Sequence, residues 1–235
     1  MQRLNYWLTL SSISVLLVTV ERFSPTTKII LQPYSFLRLH EVVQMLLIIL
    51  STVLIPFMVF LELSRKNSTR KGNQAVILSV IFITGIYFYA TGNGVHETAS
   101  YIFNSFCDTA RIEAGFCGSS FFNDYYFGNI LYFFGGYLMT IVLILLERKN
   151  NPTDFDRKNW IILLVNSVIF AFAIFAYSAF DRVLVGLIYS LATTLTILLL
   201  LVSSDKRVNQ LPYTTYAFVT YALGTTASLI VRLFH

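Results

Sequence analysis

Charge is what this sequence has least of. Aspartate, glutamate, lysine and arginine make up 12% of its 235 residues, while hydrophobic types make up 56%. A soluble domain carries about 25% charged residues, so an ordinary water-soluble fold is excluded. Histidine is also scarce, with three in the chain, and cysteine scarcer, with two. There is no HExxH or HxxxH pair for zinc, no G-x-S-x-G nucleophile elbow and no phosphate-cradling P-loop. The last apolar run holds no lysine, which argues against a retinal Schiff base. No pair of broken helices repeats in inverted order, the usual pointer to a transporter.

What is present is a series of apolar blocks, each long enough for the roughly 20 residues a helical bilayer span requires. Unbroken runs, rather than short alternating strands, exclude a membrane β-barrel. The expectation is an all-α integral membrane protein, a seven-helix bundle forming one polytopic domain over residues 1–235. The spans are expected at Asn5–Val20, Glu41–Leu63, Ala75–Ala99, Phe121–Leu146, Asn159–Phe180, Val183–Val202 and Tyr213–Phe234. The first begins like a signal peptide, but "LLVTVERF" offers no small-x-small cleavage site, so it reads as a retained anchor.

The net charge of +5 does not mark a nucleic-acid binder, because the basic residues sit in short loops beside spans. Arg65, Lys66, Arg70 and Lys71 fall in one loop, Arg148, Lys149, Arg157 and Lys158 in a second, Lys206 and Arg207 in a third. With seven spans all three share a side, which the positive-inside rule makes cytoplasmic. The N-terminus is then cytoplasmic, the C-terminus extracytoplasmic, and the expected location a bacterial inner membrane. The sequon Asn67-Ser68-Thr69 falls on the cytoplasmic side and reads as accidental.

The opposite side collects Glu21, Glu41, Glu97, Asp108, Glu113, Asp124 and Asp181, and the histidines His40, His96 and His235. A wet membrane surface needs such residues, and so does a site. Cys107 and Cys117 bracket the loop between spans three and four there. A disulfide would close a short loop in an oxidising compartment; a redox pair or metal site is the alternative, without the CxxC spacing that favours it. Asp181-Arg182 is expected to be a local ion pair, Asn166 to bond to a neighbouring helix, and the Tyr- and Thr-rich seventh span to serve packing rather than line a pore.

Span three ends Gly92-Asn93-Gly94-Val95-His96-Glu97, and span four opens Asn123-Asp124-Tyr125-Tyr126-Phe127-Gly128-Asn129. If span three continues as helix, His96 and Ser100 share a face at i, i+4. Ionisable residues at membrane depth are candidates for function; a structural hydrogen-bonded pair is the competing reading. His96, Asp124 and Glu97 are the candidate catalytic residues, and Asn93, Ser100, Asn123, Tyr125 and Asn129 the candidate ligand contacts. A single divalent metal on His96, Asp124 and His40 is a further option, since a catalytic zinc takes three protein ligands.

These residues resemble a pattern of multi-pass bacterial membrane proteins in which Gly-Asn-Gly-Ile-His is followed four residues on by Asn, and the next helix opens Asp-Glu-x-x-Gly-His. Gly92, Asn93, Gly94, His96, Asp124 and Gly128 match. Ser100, Tyr125 and Asn129 stand where the pattern has Asn, Glu and His. The pattern is similar to that of an integral-membrane metal hydrolase, and it implies a retained pocket with changed or lost chemistry. Lipid amidohydrolases of the alkaline-ceramidase type are similar in size and span count, but need several buried histidines that this chain lacks. Two functions follow as expectations: a binding protein for a lipid or small amphiphile, or a subunit of a membrane complex; and a membrane-embedded lipid hydrolase.

Overall fold

Long apolar runs with few helix breakers fold as helices, since in lipid every backbone N–H and C=O must be satisfied within the segment. The computed structural model describes residues 2–65, 73–112, 114–150 and 155–234. Lys66, the sequon Asn67-Ser68-Thr69, Arg70, Lys71, Glu113 and His235 lie outside the described residues. Among those described, seven helices are long and apolar enough to cross a membrane, and there is no strand. They are α1 Gln2–Glu21, α2 Leu39–Arg65, α3 Asn73–Phe106, α4 Phe116–Lys149, α5 Arg157–Phe180, α6 Val185–Val202 and α7 Pro212–Phe234. This is the architecture of a multi-pass membrane protein. Large apolar side chains such as Leu47, Ile83, Phe172 and Leu199 face outward, while Asn5, Ser12, Asn166 and Ser167 are buried.

Spans three and four are longer than hydropathy suggests. At 34 residues each they rise about 51 Å, against a hydrocarbon core of about 30 Å. Packing sustains the extra turns: Tyr101 and Phe103 are buried, and the Phe103 ring lies 5.4 Å from Phe121 and 6.1 Å from Tyr125. Beyond them the Cys107 and Cys117 sulfurs are bonded at 2.07 Å, joining the tips of the two helices.

A glycine seam runs down the α3–α4 contact. A Cβ on Gly92 would sit 2.2 Å from the Tyr132 nitrogen and 2.6 Å from the Gly128 oxygen. One on Gly135 would sit 2.3 Å from the Tyr89 nitrogen and 2.5 Å from the Gly85 oxygen. The pairs Gly85/Gly92 and Gly128/Gly135 are each seven apart, two helical turns, so the backbones touch twice along one face. Gly94 has nothing within 4 Å of a would-be Cβ and takes no part.

At the end of the bundle that carries the basic residues, polar side chains lock the helices. The Glu147 carboxylate accepts from the Tyr213 and Thr214 amides and the Thr214 hydroxyl, each at 2.7 Å. It caps α7 from α4, satisfying donors that the first turn of a helix leaves open. The Lys206 ammonium, its pKa lowered by burial, donates to the Glu147 and Asn150 carbonyls. Asn5 bonds to Asn159 and Asn166 to Thr9, tying α1 to α5 as expected for Asn166. At the opposite, disulfide end, no hydrogen bond joins α1 to α5 among the described residues, and the helices leave a space between them.

Candidate functional site

Two helices carry a π-turn where they enter the polar end: α2 at Val43–Ile48 and α4 at Asn123–Gly128. A π-turn shifts the i→i−4 ladder by one residue and redirects side chains, and such bulges recur at functional sites. In α4 it leaves carbonyls free for side chains. The Asp124 carbonyl lies 3.0 Å from His96 Nδ1, and the Tyr125 carbonyl accepts from Asn129 at 3.2 Å.

His96 Nδ1 also lies 2.8 Å from Asp124 Oδ1. The main-chain carbonyl takes the hydrogen bond, so Nδ1 carries a proton, and the carboxylate stands beside it at ion-pair distance. Nε2 has no protein partner among the described residues. Gly128 permits this approach, since a Cβ there would sit 2.8 Å from the His96 nitrogen.

His96 lines a gap of about 30 Å³ together with Arg22, Gln44, Asn93, Glu97, Asn129, Tyr132 and Tyr177. Glu97 is 5% exposed, yet its carboxylate accepts no hydrogen bond among the described residues. The Asn93 amide nitrogen is buried without an acceptor. Arg22, just past α1, makes no ion pair among them either. Its pKa is raised above the ordinary arginine value, chiefly by the Tyr177 phenol and also by Glu97. Unsatisfied buried groups cost about 1–3 kcal/mol each, so the Asn93 amide and the Glu97 carboxylate, both without a partner at one small gap, stand out.

Below the gap lies a cavity of about 400 Å³ among all the helices. Val18, Arg22, Thr52, Tyr89, Tyr132 and Tyr177 border both spaces. Seven tyrosines line the cavity, with hydroxyl pairs Tyr89–Tyr132 at 2.8 Å and Tyr189–Tyr221. Its walls run along α1 from Leu8 to Arg22, a rise of roughly 21 Å. The mouth opens between α1 and α5, where Thr19, Arg22, Phe23 and Ala176 line the cavity yet are exposed.

Of the residues singled out by sequence, Asn93, His96, Glu97 and Asn129 border the gap and Asp124 stands behind His96. Ser100, Asn123 and Tyr125 do not border it. Ser100 accepts from Asn104 on the α3 surface, and Tyr125 lies beneath Arg182, 5.8 Å from ring to guanidinium carbon. The three-residue metal set does not form. Among the described residues no three His, Cys, Asp or Glu side chains converge, because His40 Nδ1 is drawn to Glu21 at 2.6 Å.

The local Asp181–Arg182 ion pair is also corrected. Arg182 donates to the Thr109 carbonyl at 2.8 Å, and Asp181 receives Asn129 at 3.3 Å. Burial raises the Asp181 pKa above the usual carboxylate range, against the Val183 and Arg182 amides. In α7, Thr214 and Thr215 serve packing as expected, but Tyr213, Tyr216, Thr220 and Tyr221 line the cavity.

Sequence reasoning passed over Arg22, Gln44, Tyr132 and Tyr177. Gln44, a lone amide inside an apolar span, carried a signal; it donates to Glu21 at 2.7 Å. Arg22, an arginine on the acidic side just past a span, carried another. No family model, no curated protein and no solved structure matches the chain.

Proposed function

We propose that this protein binds a single-chain lipid or similar amphiphile within the bilayer, the tail in the tyrosine-lined cavity and the head at the Arg22–His96–Glu97 gap. The observation that carries the reading is the shared wall between an apolar cavity and a polar gap. Small-molecule sites are mostly apolar, about 300–1,000 Å³, with a few convergent polar groups. The cavity extends over a rise of about 21 Å along α1, a length that suits an acyl tail. The basic residues at the other end favour an N-terminus in the cytoplasm and a mouth on the extracytoplasmic face of a bacterial inner membrane.

The test is lipid extraction and mass spectrometry of detergent-purified protein. The expected result is an enriched single-chain species near one per chain, lost when Ala173→Trp fills the cavity beside the mouth. Bulk lipid composition in both samples would refute the reading.

A second reading, lipid hydrolysis, is favoured by the His96–Asp124 pair, whose free Nε2 suits a general base. Fatty-acid release from a labelled amphiphile, lost in His96→Ala, decides for it. Binding without turnover decides for a carrier or sensor.

A further inference from the structure

We infer that the gap selects a primary ammonium head group, so that the bound amphiphile is a zwitterion with an –NH3+ beside a phosphate. This rests on the amphiphile reading above and names its head. The argument starts from charge. Glu97 is nearly fully buried, borders the gap and lacks a hydrogen-bond donor among the described residues. A carboxylate in that state needs a cation or donors to offset its desolvation. Arg22 borders the same gap but makes no ion pair with it, so the protein leaves this pair of charges open. An ammonium against Glu97 and an anion against Arg22 close both.

The acceptors fit the same group. An –NH3+ has three donors, and the Glu97 carboxylate supplies acceptor oxygens beside it. The Asn93 amide nitrogen, buried without a partner, supplies a donor for a phosphate or ester oxygen. Donors then discriminate. An –NH3+ presents N–H groups to Glu97, and a trimethylammonium presents none.

The test measures binding of the detergent-purified full chain to three lysophospholipids of equal acyl length, with ethanolamine, choline and glycerol heads. The expected order places the ethanolamine lipid at least tenfold tighter than the choline lipid. Glu97→Gln abolishes that ratio. Arg22→Gln weakens the ethanolamine and choline lipids alike and keeps the ratio. Equal affinities for ethanolamine and choline heads, survival of the ratio in Glu97→Gln, or its loss in Arg22→Gln each overturn the inference while leaving the tail cavity standing. Failure of all three lipids to bind overturns the amphiphile reading with it. Free phosphoethanolamine is the competitor that separates sources: it is expected not to displace the lipid at millimolar concentration, and displacement would assign the gap to a soluble amine instead.

Discussion

His96 and Asp124 are held together twice, through the carboxylate at 2.8 Å and the main-chain carbonyl at 3.0 Å, both on Nδ1. The hydrogen bond to the carbonyl puts a proton on Nδ1, and the carboxylate holds the ring beside it at ion-pair distance. Asp124 is 1% exposed, so its side of the pair is shielded from water. Replacing Asp124 by Ala removes the carboxylate beside the imidazole and is expected to cost about 1–3 kcal/mol. At about 2–4 °C per kcal/mol for a chain of this size, tryptophan-fluorescence melting resolves the loss. Asp124→Asn keeps an acceptor and is expected to lose less. Equal losses in the two variants would mean the side-chain contact contributes little.

Gly92, in the glycine seam, and Gly94, outside it, carry opposite predictions although only two residues separate them. Gly92→Ala drives a methyl into the Tyr132 main chain, where nothing flexible can yield. It is expected to cost at least the roughly 1–3 kcal/mol of an overpacked core, or to prevent folding. Gly94→Ala meets open space and is expected to be neutral or to stabilise by up to about 1 kcal/mol through helix propensity. Expression and melting of the two variants side by side check this.

The disulfide tethers helix tips that already pack against each other. Closing its short loop is worth about 2–3 kcal/mol in the chain-entropy model. Cys107→Ser with Cys117→Ser is expected to lower the melting temperature by that equivalent, and a reductant should lower wild type to the same value. A further fall of the double mutant under reductant would point to a different cause.

Two buried glutamates should behave oppositely. Glu147 accepts three hydrogen bonds at the head of α7, so Glu147→Ala is expected to destabilise by several kcal/mol, given about 1.5–3 kcal/mol for a bond to a charged group. Glu97 accepts none among the described residues, so Glu97→Gln is expected to leave stability unchanged or raise it, as residues kept for function commonly do. Urea- or heat-induced unfolding of both variants at pH 7 provides the comparison; a larger loss at Glu97 would assign it a structural role.

The seven spans were legible because lipid imposes a simple rule on long segments. Their ends were not, because Tyr101 and Phe103 extend α3 by packing on α4 after hydropathy has fallen away. The candidate site was half legible. His96, Glu97, Asn93 and Asn129 announced themselves as polar residues at the end of an apolar run. Ser100, one turn beyond His96 on the same face, does not border the gap and accepts from Asn104 instead. The π-turns follow from no spacing in the sequence, yet they aim the Asp124 and Tyr125 carbonyls. Arg22 reaches the site across the bundle from another helix, a juxtaposition that only tertiary structure supplies.

Where two helices meet main chain to main chain, as α3 and α4 do at Gly92 and Gly135, the distance between them cannot be adjusted by exchanging side chains. The wall they form behaves as a ruler. Its length is set in whole helical turns, and substitutions elsewhere in the cavity retune what the wall touches without moving its marks. Under the amphiphile binding proposed above, selection among tails of different length is expected to change in steps when α1 or α5 lining residues are enlarged one turn at a time, and to remain constant under changes of similar size on the outward faces of the helices.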